Sequence, residues 1–435
     1  MNGVTVVVLA GLVLLLAGLP FWLPRAVVAL RNRIFTWVNG PEGVRVEPAK
    51  FLAVYRNPAA DGRSRGAALS DLFWYWLAPG PHAHQEHIEP GERYTEVARA
   101  TRRILAAGHQ DASRLAAACA ARVLDELGDR PVTAVRLRDL MMPVWAEFYY
   151  ELVFGHPCPR EARDLIVGNA DDVASALKCT SLRHMRRRYR LTAYLRARLD
   201  EVPHALPTSL SFADKVFYLQ GAFFNTAVVQ SSEGMAHLLM ALAHHPRTQA
   251  RVRSEPDHLG AVMEETLRLY PLFGIAHRVT SADITVADLS IPRGSVVLFD
   301  YPSFHRSGFA HADRFEPDRW ASVSGAHHVP FGVTQNRACP ARGFVPVAMR
   351  AVTFEVLRRF EVRSSATHTR SMPNRGPALL VRAGGDPTVR LGLMRVLDRW
   401  ADVPRSVTQL VLGTYMVWDA RRKRLCQRYF ESGGH

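Results

Sequence analysis

Apolar positions recur at helical spacing over most of the chain. They predict helices over Tyr94–Ala107, Asp111–Leu127, Leu137–Phe154, Pro159–Leu177 and Phe344–Phe360. Ser211–His245 is the longest low-charge stretch of this kind. Arg247–Tyr270 continues helically and stops at Pro271, because proline disfavours helix in the residue before it. The period then changes: Ile284–Tyr301 (ITVADLSIPRGSVVLFDY) alternates β-branched with turn residues and predicts short strands. No internal repeat or low-complexity tract interrupts the pattern. The body of the chain, residues 46–385, is therefore predicted to be mainly α with a small β subdomain.

The two ends follow different patterns. Val4–Leu23 carries no charged residue over 20 positions, long enough to cross about 30 Å of hydrocarbon as one helix. Arg25, Arg31 and Arg33 follow it, Phe21, Trp22 and Trp37 suit an interfacial belt, and nothing basic precedes it. That asymmetry predicts a single-pass transmembrane anchor over residues 1–24 with the catalytic domain cytoplasmic, rather than a cleaved signal peptide. Residues 25–45 read as a linker. At the other end, residues 386–435 form a basic extension with amphipathic stretches Val389–Trp400 and Val407–Trp418, the second running into Arg421-Arg422-Lys423-Arg424. Such a helix either lies on an anionic membrane or packs over the core.

Composition sharpens this only in places. With 435 residues, 48% of them hydrophobic, the chain can bury a large core without disulfides. Its five cysteines are scattered and never form a C-x-x-C pair, which argues against a zinc ribbon. The net charge of +15 favours acidic partners, yet the densest basic run, Arg183–Arg198, reads as a solvated helix face. No nucleic-acid-binding signature accompanies it, so no nucleic-acid role is indicated. His82, His84 and His87 do not share one helix face, so they make a poor metal set.

Three local patterns carry chemistry. Glu265 and Arg268, in EETLRLYP, stand at i, i+3 and can pair on one helix face. Asp313–Trp320 (DRFEPDRW) is a proline-broken segment that brings in Arg319. Pro330–Gly343 (PFGVTQNRACPARG) places Cys339 in a loop before a helix, with Arg337 nearby. A helix N-terminus and an adjacent cation favour thiolate over thiol, as a metal ligand or nucleophile requires. On its own, Cys339 reads equally well as a buried structural thiol.

In this order and spacing the three patterns resemble the cytochrome P450 family, over roughly His245 to Gly385 and more weakly back to Thr95. The resemblance implies a cytochrome P450 fold behind one transmembrane helix, and haem b as cofactor. It makes Cys339 the thiolate ligand of the iron. Arg337 and Arg278 become the partners of the haem propionates, and Phe331 part of the haem-binding loop. Glu265, Arg268 and Arg319 become a structural ionic triad. Thiolate ligation favours O–O cleavage at iron.

The sequence departs from the family at two places. The loop has one residue more than usual between Phe331 and Cys339, with Gln335 and Ala341 where glycines are expected. In the long helix the family carries an acid–alcohol pair over the haem. With His245-Pro246 as anchor, those positions hold Thr226-Ala227-Val228-Val229-Gln230-Ser231. Val229, Gln230 and Ser231 are thus the expected catalytic positions of the distal helix, and valine cannot relay a proton. Ser231 or Glu233 is the candidate substitute. The implied function is oxidation of a small lipophilic metabolite in natural-product biosynthesis, with electrons from a ferredoxin or flavoprotein reductase. The alternatives are redox-neutral chemistry on a hydroperoxide, oxime or N-acyloxy amine, and a non-catalytic haem binder or sensor.

Overall fold

The computed structural model describes residues 3–39, 43–323 and 327–434. Met1 and Asn2 of the expected anchor, and residues 40–42 of the expected linker, lie outside the described residues. Helices dominate, and three small sheets flank them. β1 (Gly43–Arg45) runs parallel to β6 (Val296–Asp300), which pairs antiparallel with β3 (Ile275–Val279). β2 (Val132–Arg136), β8 (Pro377–Val381) and β7 (Glu361–Arg363) form the second sheet, and β4 (Ile284–Val286) with β5 (Leu289–Ile291) a hairpin. The strands of the first two sheets gather residues far apart in sequence, which is why only the Ile284–Tyr301 cluster is visible as an alternating run.

At the centre, helix Leu137–Phe154 is buried along nearly its whole length and packs against the long helix that ends at His244. Trp145, Phe148 and Tyr149 of the first helix are fully buried, and the Tyr149 hydroxyl reaches Ser231 on the second. The long helix is not uniform. Phe212–Gly221 and Val228–His244 are joined by a π-helical turn at Ala222–Ala227. Arg247–Tyr270 is two helices, Pro246–Ser254 and His258–Leu269, because Pro256 interrupts it.

The N-terminus corrects one expectation. The apolar stretch is not a single membrane-length helix: Gly3–Ala17 and Leu19–Asn39 meet at Gly18, with a bend of 66° between their apolar segments. Among the described residues no single helix is long and apolar enough to cross a membrane, whereas the bent pair together has the length and composition to do so. The expected linker continues helically to Asn39. This second helix lies alongside the C-terminal helix, Thr388–Lys423, which joins both predicted amphipathic stretches across Pro404. The C-terminal helix is fastened to the body by Gln409 Nε2 donating to the Lys178 carbonyl at 2.8 Å. After it, the Cys426 amide donates to Asp71 Oδ1 at 2.8 Å.

The basic run is only partly a solvated face. Arg188 is buried and its guanidinium donates to the carbonyls of Trp76 and Ala78, while Arg183 lies 3.5 Å over the Tyr75 ring.

Candidate functional site

One large cavity lies between the π-turned helix and the loop Pro330–Gly343, enclosing about 1560 Å³ of space, part of it continuous with solvent.

Cys339 and Phe331 line its floor. The Cys339 amide donates to the Phe331 carbonyl at 2.9 Å, closing the loop into a tight turn. Gly332 permits the turn: its φ is +72°, and an added Cβ would lie 3.2 Å from the Tyr55 hydroxyl. The following helix starts only at Val345, so Cys339 does not sit at its N-terminus. Arg337 turns away from the sulfur. It has a left-handed backbone (φ +53°), donates to the Ile88 carbonyl at 2.9 Å and lies 4.1 Å over the Tyr94 ring. Neither expected source of thiolate stabilisation is therefore in place. Burial pushes the Cys339 thiol up to about 11. A bound metal cation is the partner that would draw the proton off.

Arg63, Arg278 and Arg337 line one side of the cavity together. Burial beside Arg63 and Arg278 lowers Arg337 to about 10. Arg278 extends from β3 and is fully buried. It lies 4.4 Å over the Tyr55 ring, donates to the Ala60 carbonyl at 3.1 Å and pairs with Asn336 Oδ1. Asn336 in turn donates to the carbonyls of Tyr55 (3.0 Å), Asn57 (3.2 Å) and Ala60 (3.0 Å). Two guanidinium nitrogens stay without a partner, Nε of Arg278 and Nη2 of Arg337. Buried, unmatched donors in a cationic wall suit a dianionic group. The two carboxylates of haem fit that wall, and the Cys339 sulfur fits its iron.

The opposite wall is the distal helix. Ala222, Thr226, Ala227, Gln230, Ser231 and Gly234 face the cavity. Val229 does not: its side chain belongs to the packed core behind. Glu233 is also turned away, held at 3.2 Å by Arg138 and 2.6 Å by Lys178, so it is no substitute acid. The Ser231 hydroxyl shares a 2.8 Å hydrogen bond with Tyr149. Among the described residues a single carboxyl lines the cavity, that of Glu86, which burial raises and Arg63 lowers. His84 lines it too, with its ring against Gly221 and burial lowering it to about 3.

The triad residues meet away from the cavity. Arg268 and Glu265 are both fully buried and joined by two 2.8 Å hydrogen bonds. Arg319 Nε reaches Glu265 Oε1 at 3.1 Å, and Trp320 Nε1 donates to Oε2 at 3.0 Å. Arg268 also donates to the carbonyls of Ala312 and Arg314, so the triad locks the segment leading to the loop Pro330–Gly343 onto its helix.

The sequence model of the cytochrome P450 family matches residues 180–386. Over that segment, a little under half of the chain, it resembles the cytochrome P450 family. The putative cytochrome P450 135B1 of Mycobacterium tuberculosis is 32% identical over 179 residues, 36% of this chain and 38% of that protein. Cytochrome P450 3A12 of Canis lupus familiaris is 27% identical over 184 residues, 36% of either chain. The matched segments thus span little more than a third of these P450 relatives. Among solved structures, CYP175A1 from Thermus thermophilus superposes with a TM-score of 0.64 at 17% identity, over 79% of this chain and 90% of its own. A zebra fish cytochrome P450 gives 0.66 at 17%, over 79% and 94%. The P450 fold therefore extends well beyond the region where sequence similarity is detectable.

Arg63, Glu86, Tyr94, Tyr149 and Asn336 join the site without having been singled out from sequence. Only Asn336 carried a local signal, as an asparagine in a glycine- and proline-containing loop, where its side chain readily bonds backbone.

Proposed function

We propose that this P450 binds haem b and oxidises a small lipophilic metabolite. The observation that carries the reading is the shared cavity of the Cys339 sulfur and the unmatched nitrogens of Arg278 and Arg337. Cys339 would ligate the iron, and the two arginines would hold the propionates. Bound there, haem supplies thiolate-ligated iron, whose electron-rich sulfur ligand favours O–O cleavage.

The chain's own residues do the rest. Leu105, Phe223, Leu272, Phe273 and Met349 give the cavity apolar walls that exclude water and suit a lipophilic substrate. Gln230 donates a hydrogen bond but is a poor acid. Ser231 is engaged by Tyr149. Among the described residues Glu86 is the carboxyl that lines the cavity, its acidity weakened by burial and partly restored by Arg63. Electrons would come from an acidic ferredoxin or flavoprotein reductase drawn to this basic protein. The bent N-terminal pair would anchor it in a membrane, with the haem domain on the cytoplasmic side, since arginines follow the apolar stretch. Natural-product biosynthesis is the setting we infer for such a substrate.

A second reading draws on the distal helix, which offers the cavity Thr226, Gln230 and Ser231 but no carboxyl. That suits redox-neutral chemistry on a substrate that brings its own O–O or N–O bond. Turnover of candidate lipophilic substrates with an electron donor and dioxygen, beside hydroperoxide or oxime substrates without a donor, separates the two. Donor-dependent product supports oxygenation. Product without a donor supports the second reading. Tight diatomic-gas binding with neither activity would make the protein a haem sensor.

A further inference from the structure

The helix Thr388–Lys423 begins where the family match ends, at residue 386, so it is an addition to the P450 body. One face of it is built into the protein: Asp398, Ser406, Gln409, Met416, Asp419 and Ala420 are buried. The opposite face is apolar and bare. Val389 (81% exposed), Leu393, Trp400, Val407, Val411 and Trp418 follow one another at spacings of four or seven residues. At 100° per residue they fall in one stripe about 40° wide that runs some 45 Å along the helix. A soluble surface rarely leaves so long an apolar stripe uncovered.

The stripe continues on the neighbouring helix Leu19–Asn39, which leaves Phe21, Trp22 and Trp37 exposed. The two helices run in the same direction, since Arg399 lies 5.2 Å over Phe21 and Arg421 4.8 Å over Trp37. The charges are sorted as well. All three acids of the C-terminal helix (Asp398, Asp402, Asp419) point to the protein side, and Asp419 is paired with Arg422 and Lys423. Arg399 and Arg421 flank the stripe where it meets the neighbouring helix, and Arg424 is exposed beyond its end.

We propose that the helix Thr388–Lys423 and its neighbour Leu19–Asn39 form a platform that lies in the plane of an anionic bilayer surface. The apolar stripe is immersed and the arginines contact lipid headgroups. The helix itself cannot span, because it fails the length-and-hydropathy requirement of a membrane crossing. A long helix with one apolar face, aromatic residues in it and arginines beside it binds in the interface instead. The proposal extends the membrane reading of the N-terminal pair and fixes which side of the P450 body faces the lipid.

The test is brominated-lipid quenching of tryptophan fluorescence in the full-length, haem-loaded protein, on phosphatidylcholine vesicles with and without phosphatidylglycerol. The platform predicts quenching on the anionic vesicles that drops when Trp400 and Trp418 are both changed to Phe. It also predicts roughly tenfold or weaker vesicle binding for the exposed pair Leu393→Glu/Val411→Glu. Retention of the Trp400/Trp418 signal in a Leu12→Arg/Leu15→Arg variant would support the platform even if the anchor fails. Quenching unchanged by the two Trp→Phe substitutions would overturn the platform while leaving the anchor intact. A lipid-free dimer that the Glu pair disperses would assign the stripe to a second copy and also overturn it.

Discussion

At the scale of single residues, the Glu265 carboxylate has the most to hold. It balances two buried guanidiniums and accepts from Trp320 and from the Glu316 amide at 2.8 Å. Removing one partner of such a network leaves uncompensated buried charge, which costs about 3–5 kcal/mol. Glu265→Ala is expected to lower unfolding free energy by that amount in a denaturant titration; a loss under 1 kcal/mol would contradict the triad's role. Asn336→Ala takes a donor from the carbonyls of Tyr55, Asn57 and Ala60, of which Asn57 keeps the Ala60 amide and Ala60 keeps Arg278. It also removes the Oδ1 acceptor of Arg278, at roughly 1–3 kcal/mol per group left unsatisfied. The expected outcome is faster haem loss to an apo-globin acceptor, and an unchanged rate would count against Asn336 as a brace of the propionate wall. Glu265 and Arg268 were legible in the sequence because both lie on one helix turn, and Arg319 through the order of the motifs. Glu86 and Arg63 were not, since their carboxyl and guanidinium reach the cavity only through tertiary folding.

At the scale of elements, the distal helix is shaped by its π-helical turn, a feature that recurs at functional sites. Periodicity had marked the segment as one helix and could not show the turn, because one extra residue in the spiral leaves the apolar pattern nearly unchanged. The turn sets the register that brings Thr226, Gln230 and Ser231 to the cavity and sends Val229 into the core. Just before it, Gly221 allows the closest approach in the site: a Cβ there would lie 1.9 Å from His84 Nε2. Gly221→Ala must displace the His84 ring, at about 1–3 kcal/mol for overpacking. Adding His84→Ala is expected to restore most of the loss in thermal unfolding. Equal stability of the single and double variants would mean the contact does not hold that wall.

For the whole molecule, buried neutral histidines tie stability to pH. Burial lowers His237 and His305 to about 3 and His368 to about 2. The unfolded chain takes up these protons near pH 6.5 while the folded chain refuses them. Stability is therefore complete above that pH and falls as pH drops toward 3, at most by about 1.4 kcal/mol per unit for each group. The melting temperature is expected to decline steadily from pH 7 to pH 5; a flat profile over that window would contradict the burial of these rings. Composition and periodicity foretold a mainly α body. The broken N-terminal pair and its packing beside the C-terminal helix were not foretold, because Gly18 is one permissive residue in an unbroken apolar run. The partnership joins residues nearly 400 positions apart.

The central claim is that Cys339 ligates haem. It is tested most directly by the visible spectrum of the purified protein, ferric and then reduced under carbon monoxide, beside Cys339→Ala. The account predicts a strongly red-shifted Soret band in the native protein that is absent from the variant. No haem, or a spectrum indifferent to Cys339, would contradict it.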